Sequence, residues 1–447
     1  MLSNHILGGT TMATISIHPD HFLKPMKPMH GGGQPPMAGA SDMYFHYMTE
    51  AGIPFSRLHD VGGVFGGGRF VDIPNIFRNF DADETDPANY DFTFTDILIQ
   101  ALIKAGVEPY YRLGTTIENQ AEIKAYHTVP PKDYHKWARI CEHIIAHYTE
   151  GWADGFHYHI RYWEIWNEPE VQNRMMWNGT KEQYYELYEV AAKHLKARFP
   201  HLKIGGYASC GFYAIAPVAV PDPTSPTLMG TIPPSDHENN LMAFFHGFFR
   251  YIKERNVPID FFSWHSYANT KRVAVMDRWL HGALAEYGYE NLETHLNEWD
   301  PYPTEYGTAH HSAEIAAMMI AMQHGYADIL CIYDMRITTA PYCPLFDIKT
   351  RKPIHGYYAL AAFNRLYQLG NQVESGTDTE DLYVLAASNG KRNAILISNL
   401  TGADQPLTID GVDLTDARYY ILDQERLLSW APNAKIIPNN AVMLIEC

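Results

Sequence analysis

The chain has 447 residues, a length too great for one small domain and suited to a large barrel with an accessory domain. Hydrophobic residues make up 46% of it and charged residues 19%, the balance of a globular enzyme with ample material for a core. Its formal net charge of −17 argues against nucleic acid as a partner, because phosphates would be repelled.

The cysteines and the amino-terminal residues favour a reducing, cytoplasmic location. The five cysteines are widely spaced and form no Cys-x-x-Cys pair, so the pattern supports neither a disulfide framework nor a zinc ribbon. The first residues lack the basic region and apolar run of a signal peptide, and no apolar stretch is long enough for a membrane span. We therefore expect a cytoplasmic protein that does not contact membranes.

From about residue 28 to residue 370, apolar strand-like runs alternate with amphipathic helix-like segments. The predicted strands are Met29–Gly33, Phe55–His59, Glu108–Leu113, Tyr162–Asn167, Lys203–Tyr207, Asp260–His265, Glu293–Glu298 and Asp328–Tyr333. The predicted helices between and after them include Lys132–Thr149, Lys181–Arg198, Asn239–Arg255, Ser312–Gly325 and His355–Leu369. Such alternation indicates a parallel sheet with crossover helices, and eight units predict an α/β fold, the (β/α)₈ TIM barrel.

The remainder of the chain, from about residue 371, changes character. Short β-rich segments separated by turn pairs, with no helix pattern between them, predict a small C-terminal β-sandwich. We expect residues 1–24 to join this sandwich through a strand at Ala13–Ile17, residues 25–370 to form the catalytic barrel and residues 371–447 the accessory domain. The Pro-rich segment 207–234 shows little regular pattern, which favours a functional loop acting as a lid, a subsite or a subunit contact.

Two motifs carry most of the functional information. Residues 163–169 read Trp-Glu-Ile-Trp-Asn-Glu-Pro, and residues 295–299 read His-Leu-Asn-Glu-Trp. Each is typical of a strand that ends on a glutamate preceded by asparagine, and Pro169 stops the first strand so that Glu168 lies at the rim. Active-site residues of such barrels come from the carboxyl ends of the strands. Two carboxylates about 5–5.5 Å apart, one a proton donor and one a nucleophile, are what a retaining glycosidase needs.

Other acidic residues compete for these roles. Glu164 lies inside the fourth strand and is expected to order its neighbours through hydrogen bonds, whereas Glu170 and Asp300 are interpreted as exposed loop charges. Asp334, at the end of the eighth strand, is a stronger rival because it also lies at the rim. We expect Arg336 to pair with Asp334, with a substrate carboxylate as its alternative partner.

Four motifs together resemble a known family. Residues 162–169 resemble the acid/base motif of clan A glycoside hydrolases, and residues 296–299 resemble their seventh-strand nucleophile motif. Residues 261–267 and 56–59 resemble the sixth- and second-strand motifs of glycoside hydrolase family 39, which contains β-xylosidases and α-L-iduronidases. The resemblance spans most of the chain. It implies that Glu168 is the general acid/base and Glu298 the nucleophile, with no metal or organic cofactor.

The residues around the candidate nucleophile are assigned supporting roles from the requirement that its carboxylate be ionised. Glu298 must stay ionised, so it requires a cation or hydrogen-bond donors. Arg57 is the candidate cation, and His265 or Tyr267 is the candidate donor; both of these also line the expected sugar site. Glu168 must stay protonated near neutrality, so we expect burial or a neighbouring charge to raise its pKa.

Further residues are candidates for binding the sugar. Asn167 is expected to bind the 2-hydroxyl, a contact that strengthens in the transition state, and His59 another hydroxyl. Trp299 is either a stacking platform or rim packing. The clan often has a tryptophan at the end of the eighth strand, a position where this chain has Tyr333 as the substitute platform.

The leading hypothesis is a retaining exo-glycosidase, β-xylosidase-like, that acts on short oligosaccharides without a cofactor. Glucose, galactose, arabinose or a uronic acid remain alternative glycones. A non-catalytic carbohydrate-binding barrel and a metal-dependent hydrolase are the alternatives from other classes, although the adjacent pair His310 and His311 precedes a helix rather than ending a strand. The oligomeric state is left open, a homo-oligomer included.

Overall fold

The computed structural model of the protein describes residues 12–37, 42–61, 71–116, 128–171, 176–222, 225–231, 233–337 and 342–447, and of residues 219–231 it describes only the backbone. In chain order the strands are β1 (Ala13–Pro25), β2 (Gly31–Gly33), β3 (Phe55–Leu58), β4 (Glu108–Leu113), β5 (Tyr162–Ile165), β6 (Lys203–Ser209), β7 (Ala219–Asp222), β8 (Ser225–Thr231), β9 (Phe261–Ser266), β10 (Glu293–Trp299), β11 (Ile329–Tyr333), β12 (Asn371–Thr377), β13 (Leu382–Ser388), β14 (Asn393–Asn399), β15 (Gln405–Asp410), β16 (Arg418–Leu422), β17 (Ser429–Trp430), β18 (Ile436–Ile437) and β19 (Ala441–Glu446). The α-helices are α1 (His46–Ala51), α2 (Ile73–Ile76), α3 (Thr93–Lys104), α4 (Tyr134–Thr149), α5 (Lys181–Arg198), α6 (Asp236–Glu254), α7 (Thr270–Glu286), α8 (Ala309–His324) and α9 (His355–Tyr367).

Eight strands close into a barrel in which every neighbouring pair is parallel. Their order around the barrel is β10-β11-β2-β3-β4-β5-β6-β9. The predicted TIM barrel is therefore confirmed, and β4 has the predicted bounds. The expectation of little regular structure in segment 207–234 was wrong, because β6 continues to Ser209 and an antiparallel hairpin, β7–β8, follows a 3-10 turn at Tyr213–Ile215.

The barrel interior is apolar at the amino-terminal ends of the strands and polar towards their carboxyl ends. A buried cluster is formed by residues at the first or third positions of five strands, namely Phe55, Tyr110, Tyr162, Phe261, Ile329 and Cys331. Side chains alternate along a strand, so the inward position two residues after Phe55 is Arg57, and that after Tyr162 is Glu164. The cluster thus forms the floor beneath the polar residues near the carboxyl ends.

Helix α6 shows how the barrel is covered. Its buried side chains recur at the spacing of one helical face: Leu241, Phe244, Phe245, Phe248, Phe249 and Ile252. Burying each phenylalanine contributes about 1.5–3 kcal/mol. The helix begins three residues before its predicted start because a capping box between Ser235 and Glu238 satisfies its first N–H groups. None of the helices in the described ranges combines the length and apolar character that crossing a membrane requires.

Close pairing of β6 with β9 depends on one glycine. A Cβ atom at Gly205 would lie 2.2 Å from the carbonyl oxygen of Phe261, so a larger residue would push the two strands apart. This pairing fixes the direction in which β6 ends. Ala208, near the end of β6, and Cys210, just after it, lie against the residues that follow β5.

The remaining strands, apart from the hairpin, form one nine-stranded sheet in the order β17-β16-β19-β14-β13-β12-β1-β15-β18. Strand β1 lies between β12 and β15 in this sheet and is longer than the predicted Ala13–Ile17. Strands near opposite ends of the order, β16 and β18, supply Tyr419 and Ile437 to the same core cluster. The sheet therefore curls around one apolar core, which confirms the predicted sandwich in the form of a single curled sheet.

The described chain divides by packing into two units. Gly31–Asp300 and Gly325–Tyr342 form the unit with the barrel, and Met1–His30, Pro301–His324 and Cys343–Cys447 form the unit with the sheet. In the latter, α8 and α9 pack on the sheet, and the Ser398 hydroxyl donates to the carbonyl of Ala313 at 2.7 Å. The limits of these units differ from the boundaries at residues 24 and 370 that the sequence suggests. Those two boundaries concern domains that fold separately, and they stay predictions.

Candidate active site

The two motif glutamates face each other near the carboxyl ends of the barrel strands. Glu298 is the penultimate residue of β10, as the predicted strand required. Glu168 does not end a strand: β5 stops at Ile165, and Glu168 lies three residues further with a φ of 46°. Its peptide N–H donates to the carbonyl of Ala208 at 3.0 Å, which holds this turn against the end of β6.

The separation of the two carboxylates is short. One oxygen of Glu168 and one of Glu298 lie within 4.8 Å of each other, and the two residues are 8% and 7% exposed. Retaining glycosidases place their carboxyl groups about 5–5.5 Å apart, whereas inverting enzymes leave about 6.5–9.5 Å for a water molecule. The spacing suits direct attack by one carboxylate more than activation of water between them.

Arg57, on β3, lies behind the pair and is fully buried. Its guanidinium donates from Nη1 to Glu298 Oε2 at 3.0 Å, from Nε to Glu164 Oε2 at 2.9 Å and from Nη2 to Asn167 Oδ1 at 2.6 Å. Burial opposes its charge, but the carboxylates of Glu164 and Glu298 outweigh burial and raise its pKa. Removing one partner of such a buried ion pair commonly costs about 3–5 kcal/mol, so Arg57 and its carboxylates depend on each other.

Glu298 is buried, but two donors bind its carboxylate. The Tyr267 hydroxyl donates to its Oε1 at 2.8 Å while Arg57 binds Oε2. Burial and the charge of Glu168 raise the pKa of Glu298, and His265, Arg57 and the Tyr267 hydrogen bond oppose that rise without cancelling it. Of the two donors predicted for this carboxylate, Tyr267 therefore occupies the expected place.

Glu168 lies in a different environment, with no guanidinium bound to it among the described residues. Burial raises its pKa to about 7, although the charge of Arg57 and a hydrogen bond from the Cys210 side chain oppose this. Its Oε1 lies 2.7 Å from His265 Nδ1. The two glutamates thus share a cavity but differ in proton affinity, the arrangement that separates an acid from a nucleophile.

His265 was expected as an alternative donor to Glu298, and the structure gives it a different main partner. Its Nδ1 is 2.7 Å from Glu168 but 3.7 Å from Glu298 Oε2. Burial lowers the pKa of His265 to about 4, so the ring is neutral near pH 7. Residues of the sixth-strand motif therefore contact both carboxylates: His265 contacts Glu168, and Tyr267 contacts Glu298.

The predicted sugar-binding residues differ in how accessible their polar groups are. Among the described residues, the Asn167 amide Nδ2 donates to the weak acceptor Met176 Sδ, at 3.8 Å, a contact that a ligand hydroxyl could replace. Burial, followed by the charge of Arg112, lowers the pKa of His59 well below its ordinary value, so this ring is a neutral hydrogen-bonding group. Trp299 is fully buried and has no face open to a sugar, so stacking on it would require its neighbours to move.

At the end of β11, an ion-pair cluster surrounds Tyr333. Arg336 donates from Nε to Asp334 Oδ2 at 2.7 Å and from Nη1 to Asp60 Oδ2 at 3.1 Å. The Tyr333 hydroxyl also donates to Asp60 Oδ2, at 3.1 Å. The predicted pairing of Arg336 with Asp334 is confirmed, so Asp334 is engaged rather than free to rival the two glutamates.

Several neighbours were misjudged or missed from the sequence. Glu170 was expected to be exposed but is buried, and its Oε1 accepts the Cys210 peptide N–H at 2.6 Å. Burial raises the pKa of Glu170 to about 8. Asp300, also expected in an exposed loop, is fully buried. Asn297 donates to Glu164 Oε1 at 2.6 Å, which gives Glu164 the ordering role proposed for it.

One set of described side chains has ligand atoms close enough together to hold a metal ion. These side chains belong to the catalytic candidates and the histidine beside them. Ligand atoms of Glu168, His265 and Glu298 all lie within 4.8 Å of one another. Hydrogen bonds and the Arg57 cation already account for this grouping, and a positive guanidinium 3.0 Å from Glu298 disfavours a second cation there. The donor set fits acid–base and nucleophilic chemistry more directly than metal binding.

Comparison with known proteins points in the same direction. The family profile for glycosyl hydrolases family 39 matches residues 57–294, just over half of the chain. A β-xylosidase of Geobacillus stearothermophilus is 28% identical over 237 residues, which are 51% of this chain and 39% of the relative. A β-xylosidase of Caldicellulosiruptor saccharolyticus is 23% identical over 403 residues, 81% of this chain and 72% of the relative. The chain thus matches well under half the length of the first relative and nearly three quarters of the second.

Solved structures show the same fold at low identity. A glucosidase from Croceicoccus marinus superposes with a TM-score of 0.77 at 19% identity, covering 98% of this chain and 99% of that one. A monomeric β-xylosidase from Caulobacter crescentus CB15 gives 0.67 at 16% identity, covering 97% and 99%. One neighbour is a glucosidase and the other a β-xylosidase, so the structural similarity supports the fold and does not identify the sugar.

Proposed function

The chain belongs to glycosyl hydrolase family 39, and from this premise we propose that it is a retaining exo-glycosidase, β-xylosidase-like, acting on short oligosaccharides. The observation that carries the proposal is the pair Glu168 and Glu298, with oxygens within 4.8 Å and unlike environments. The β-xylosidases similar to this chain support xylose as the first glycone to test.

The proposed reaction is a double displacement. A carboxylate oxygen of Glu298 attacks the anomeric carbon, the bond from that carbon to the leaving-group oxygen breaks, and Glu168 gives its proton to that oxygen. The ionised Glu168 then takes a proton from water, the water oxygen attacks the anomeric carbon, and the ester bond to Glu298 breaks. Arg57 and Tyr267 hold the nucleophile in place and stabilise its negative charge before attack and after release.

Asn167 supports the transition state in this proposal. Its Oδ1 accepts a hydrogen bond from Arg57, so its Nδ2 has a defined direction. A hydrogen bond from this amide to the sugar 2-hydroxyl strengthens as positive charge develops on the ring. The side chain is thereby oriented before the substrate binds, which lowers the cost of binding.

We expect kcat/KM to fall on the basic side with an apparent pKa of about 7. Glu168 must be protonated to act as the acid, and burial raises its pKa to about 7, so activity is lost as pH rises through that value. The measurement is kcat/KM against pH for two aryl xylosides, one with a poor and one with a good leaving group. The fall should be pronounced for the poor leaving group and shallow for the good one; equal profiles would contradict the assignment.

We expect Tyr267→Phe to reduce kcat/KM by about 10- to 100-fold, the scale of one hydrogen bond to a charged group. Loss of the donor raises the pKa of Glu298, so the acidic limb of the pH profile should also move to higher pH. Tyr333→Phe is the matched control, because that hydroxyl binds Asp60 and not a catalytic carboxylate. An acidic limb that moves equally in both variants would argue against this role for Tyr267.

The proposed function is tested with a panel of p-nitrophenyl glycosides, comparing xyloside, glucoside, galactoside, arabinosides and glucuronide. Preferred hydrolysis of the β-xyloside, with a β-configured first product seen by NMR, is the expected outcome. Preference for another glycone would keep the mechanism and change the substrate. Silence across the panel and across xylo-oligosaccharides, together with sugar binding, would favour a non-catalytic carbohydrate-binding barrel; activity lost to a chelator would favour a metal-dependent hydrolase.

A further inference from the structure

A tyrosine outside all of the sequence motifs lies close to the candidate site. Tyr342 lies in the chain between β11 and α9 and is partly exposed. Its ring centroid lies 5.4 Å from that of Tyr333 at an interplanar angle of 64°, and 5.5 Å from that of Tyr267 at 42°. The three rings form an aromatic corner, the name used below for Tyr267, Tyr333 and Tyr342.

Two rings of the aromatic corner are held rigidly. Tyr267 is fixed by the hydrogen bond from its hydroxyl to Glu298, and Tyr333 by Asp60 and Arg336, whose Nη2 donates to the Tyr333 hydroxyl at 3.2 Å. Tyr333 is only 7% exposed. Tyr267 and Tyr342 are the partly exposed members of the corner, and packing on Tyr267 and Tyr333 gives the Tyr342 ring a defined position.

The neighbours of Tyr342 connect it to the nucleophile candidate. Its ring packs on that of Tyr267, whose hydroxyl donates to Glu298 Oε1 at 2.8 Å. Burial raises the pKa of the Tyr342 hydroxyl, and the charges of Glu298, then Glu168 and then Asp300 add to this rise. Tyr342 thus lies beside the tyrosine that binds the proposed attacking carboxylate, near both motif glutamates.

We propose that Tyr342 is a specificity-determining residue whose ring forms the outer wall of the glycone site and packs against the C–H face of a neutral pyranose bound at Glu298. The proposal rests on the proposed glycosidase function and extends it to one residue. Flat aromatic rings offer large apolar area at low entropic cost, and a pyranose presents a matching face of C–H groups. Arg336, the nearby cation of the corner, is engaged by Asp60 and Asp334, which suits an uncharged sugar.

The test measures binding separately from turnover. Wild type, Tyr342→Ala and Tyr342→Phe are titrated with xylose, glucose, galactose and arabinose by calorimetry, and kcat and KM are measured on the preferred aryl glycoside. Tyr326→Ala is the matched control, since Tyr326 is an exposed ring stacked on His281 elsewhere in the barrel unit. Thermal unfolding verifies that every variant is folded.

We expect Tyr342→Ala to weaken binding of the preferred sugar by about 5- to 10-fold, the scale of one aromatic contact, and to raise KM. Tyr342→Phe should recover most of that affinity because the ring remains, and Tyr326→Ala should bind as wild type does. Unchanged sugar affinity in Tyr342→Ala, with a lower kcat, would overturn the proposal and leave Tyr342 as packing for Tyr267. If wild type binds and hydrolyses none of the sugars, the proposed function itself fails and the proposal fails with it.

Discussion

Glu298→Ala is expected to abolish turnover of every glycoside that the wild type hydrolyses. Deleting a catalytic nucleophile costs on the order of 10⁶-fold in kcat, and Glu298 is the carboxylate that shares the described cluster with Glu168 and His265. Glu164 is held by Arg57 and Asn297, and Asp334 is held by Arg336, so neither is free to replace it. The measurement is kcat on aryl xylosides with an assay sensitive enough to detect a millionth of the wild-type rate.

The proposed double displacement predicts where a covalent intermediate should form. A 2-deoxy-2-fluoroxylosyl fluoride should add one fluorosugar mass to the wild-type protein, and peptide mapping should place it on Glu298. Glu254→Ala is the control, because Glu254 is an exposed acid on α6 that pairs only weakly with Arg255. An adduct on another residue, or wild-type rates in Glu298→Ala, would show that the nucleophile is assigned wrongly.

The fold could be predicted from the sequence because its elements repeat simple patterns. Strand β4 and helix α5 have the predicted bounds, since a short strand-like run defines the first and an apolar stripe at 3–4-residue spacing defines the second. A capping box at Thr180 and Gln183 begins α5 at the predicted residue. Parallel strands in a barrel bring their carboxyl ends together, so two motifs more than 120 residues apart in the sequence were expected at one site.

The details of the site could not be predicted, because they depend on local backbone geometry that periodicity does not describe. Glu168 reaches the cavity through positive φ values at Trp166 and at Glu168 itself, not by ending a strand. Regular alternation would direct Asn297 and Glu298 to opposite faces, yet both reach interior partners, at a point where the register of β10 with its neighbours is irregular. Glu170 follows a proline and resembles a loop charge in the sequence, and only the fold of the chain after β6 shows that it is buried.

The acid/base residue should give a different kinetic signature from the nucleophile. Glu168→Ala is expected to reduce kcat/KM by about 10²- to 10⁴-fold on substrates with poor leaving groups, the range of general acid catalysis. Substrates with good leaving groups need no proton, so their first step should be nearly unaffected and the glycosyl-enzyme should accumulate. Azide should then accelerate turnover and give a β-glycosyl azide, because a small anion attacks the intermediate without a general base.

Glu170→Gln is the matched control for this prediction, since Glu170 is a second buried carboxyl with a raised pKa two residues away. Azide should accelerate Glu168→Ala and leave Glu170→Gln unaffected, because only Glu168 lies within reach of Glu298 and of the bond being broken. Rescue of Glu170→Gln alone would transfer the acid/base role to Glu170. An α-configured azide product would replace the retaining mechanism with an inverting one and would remove Glu298 as the nucleophile.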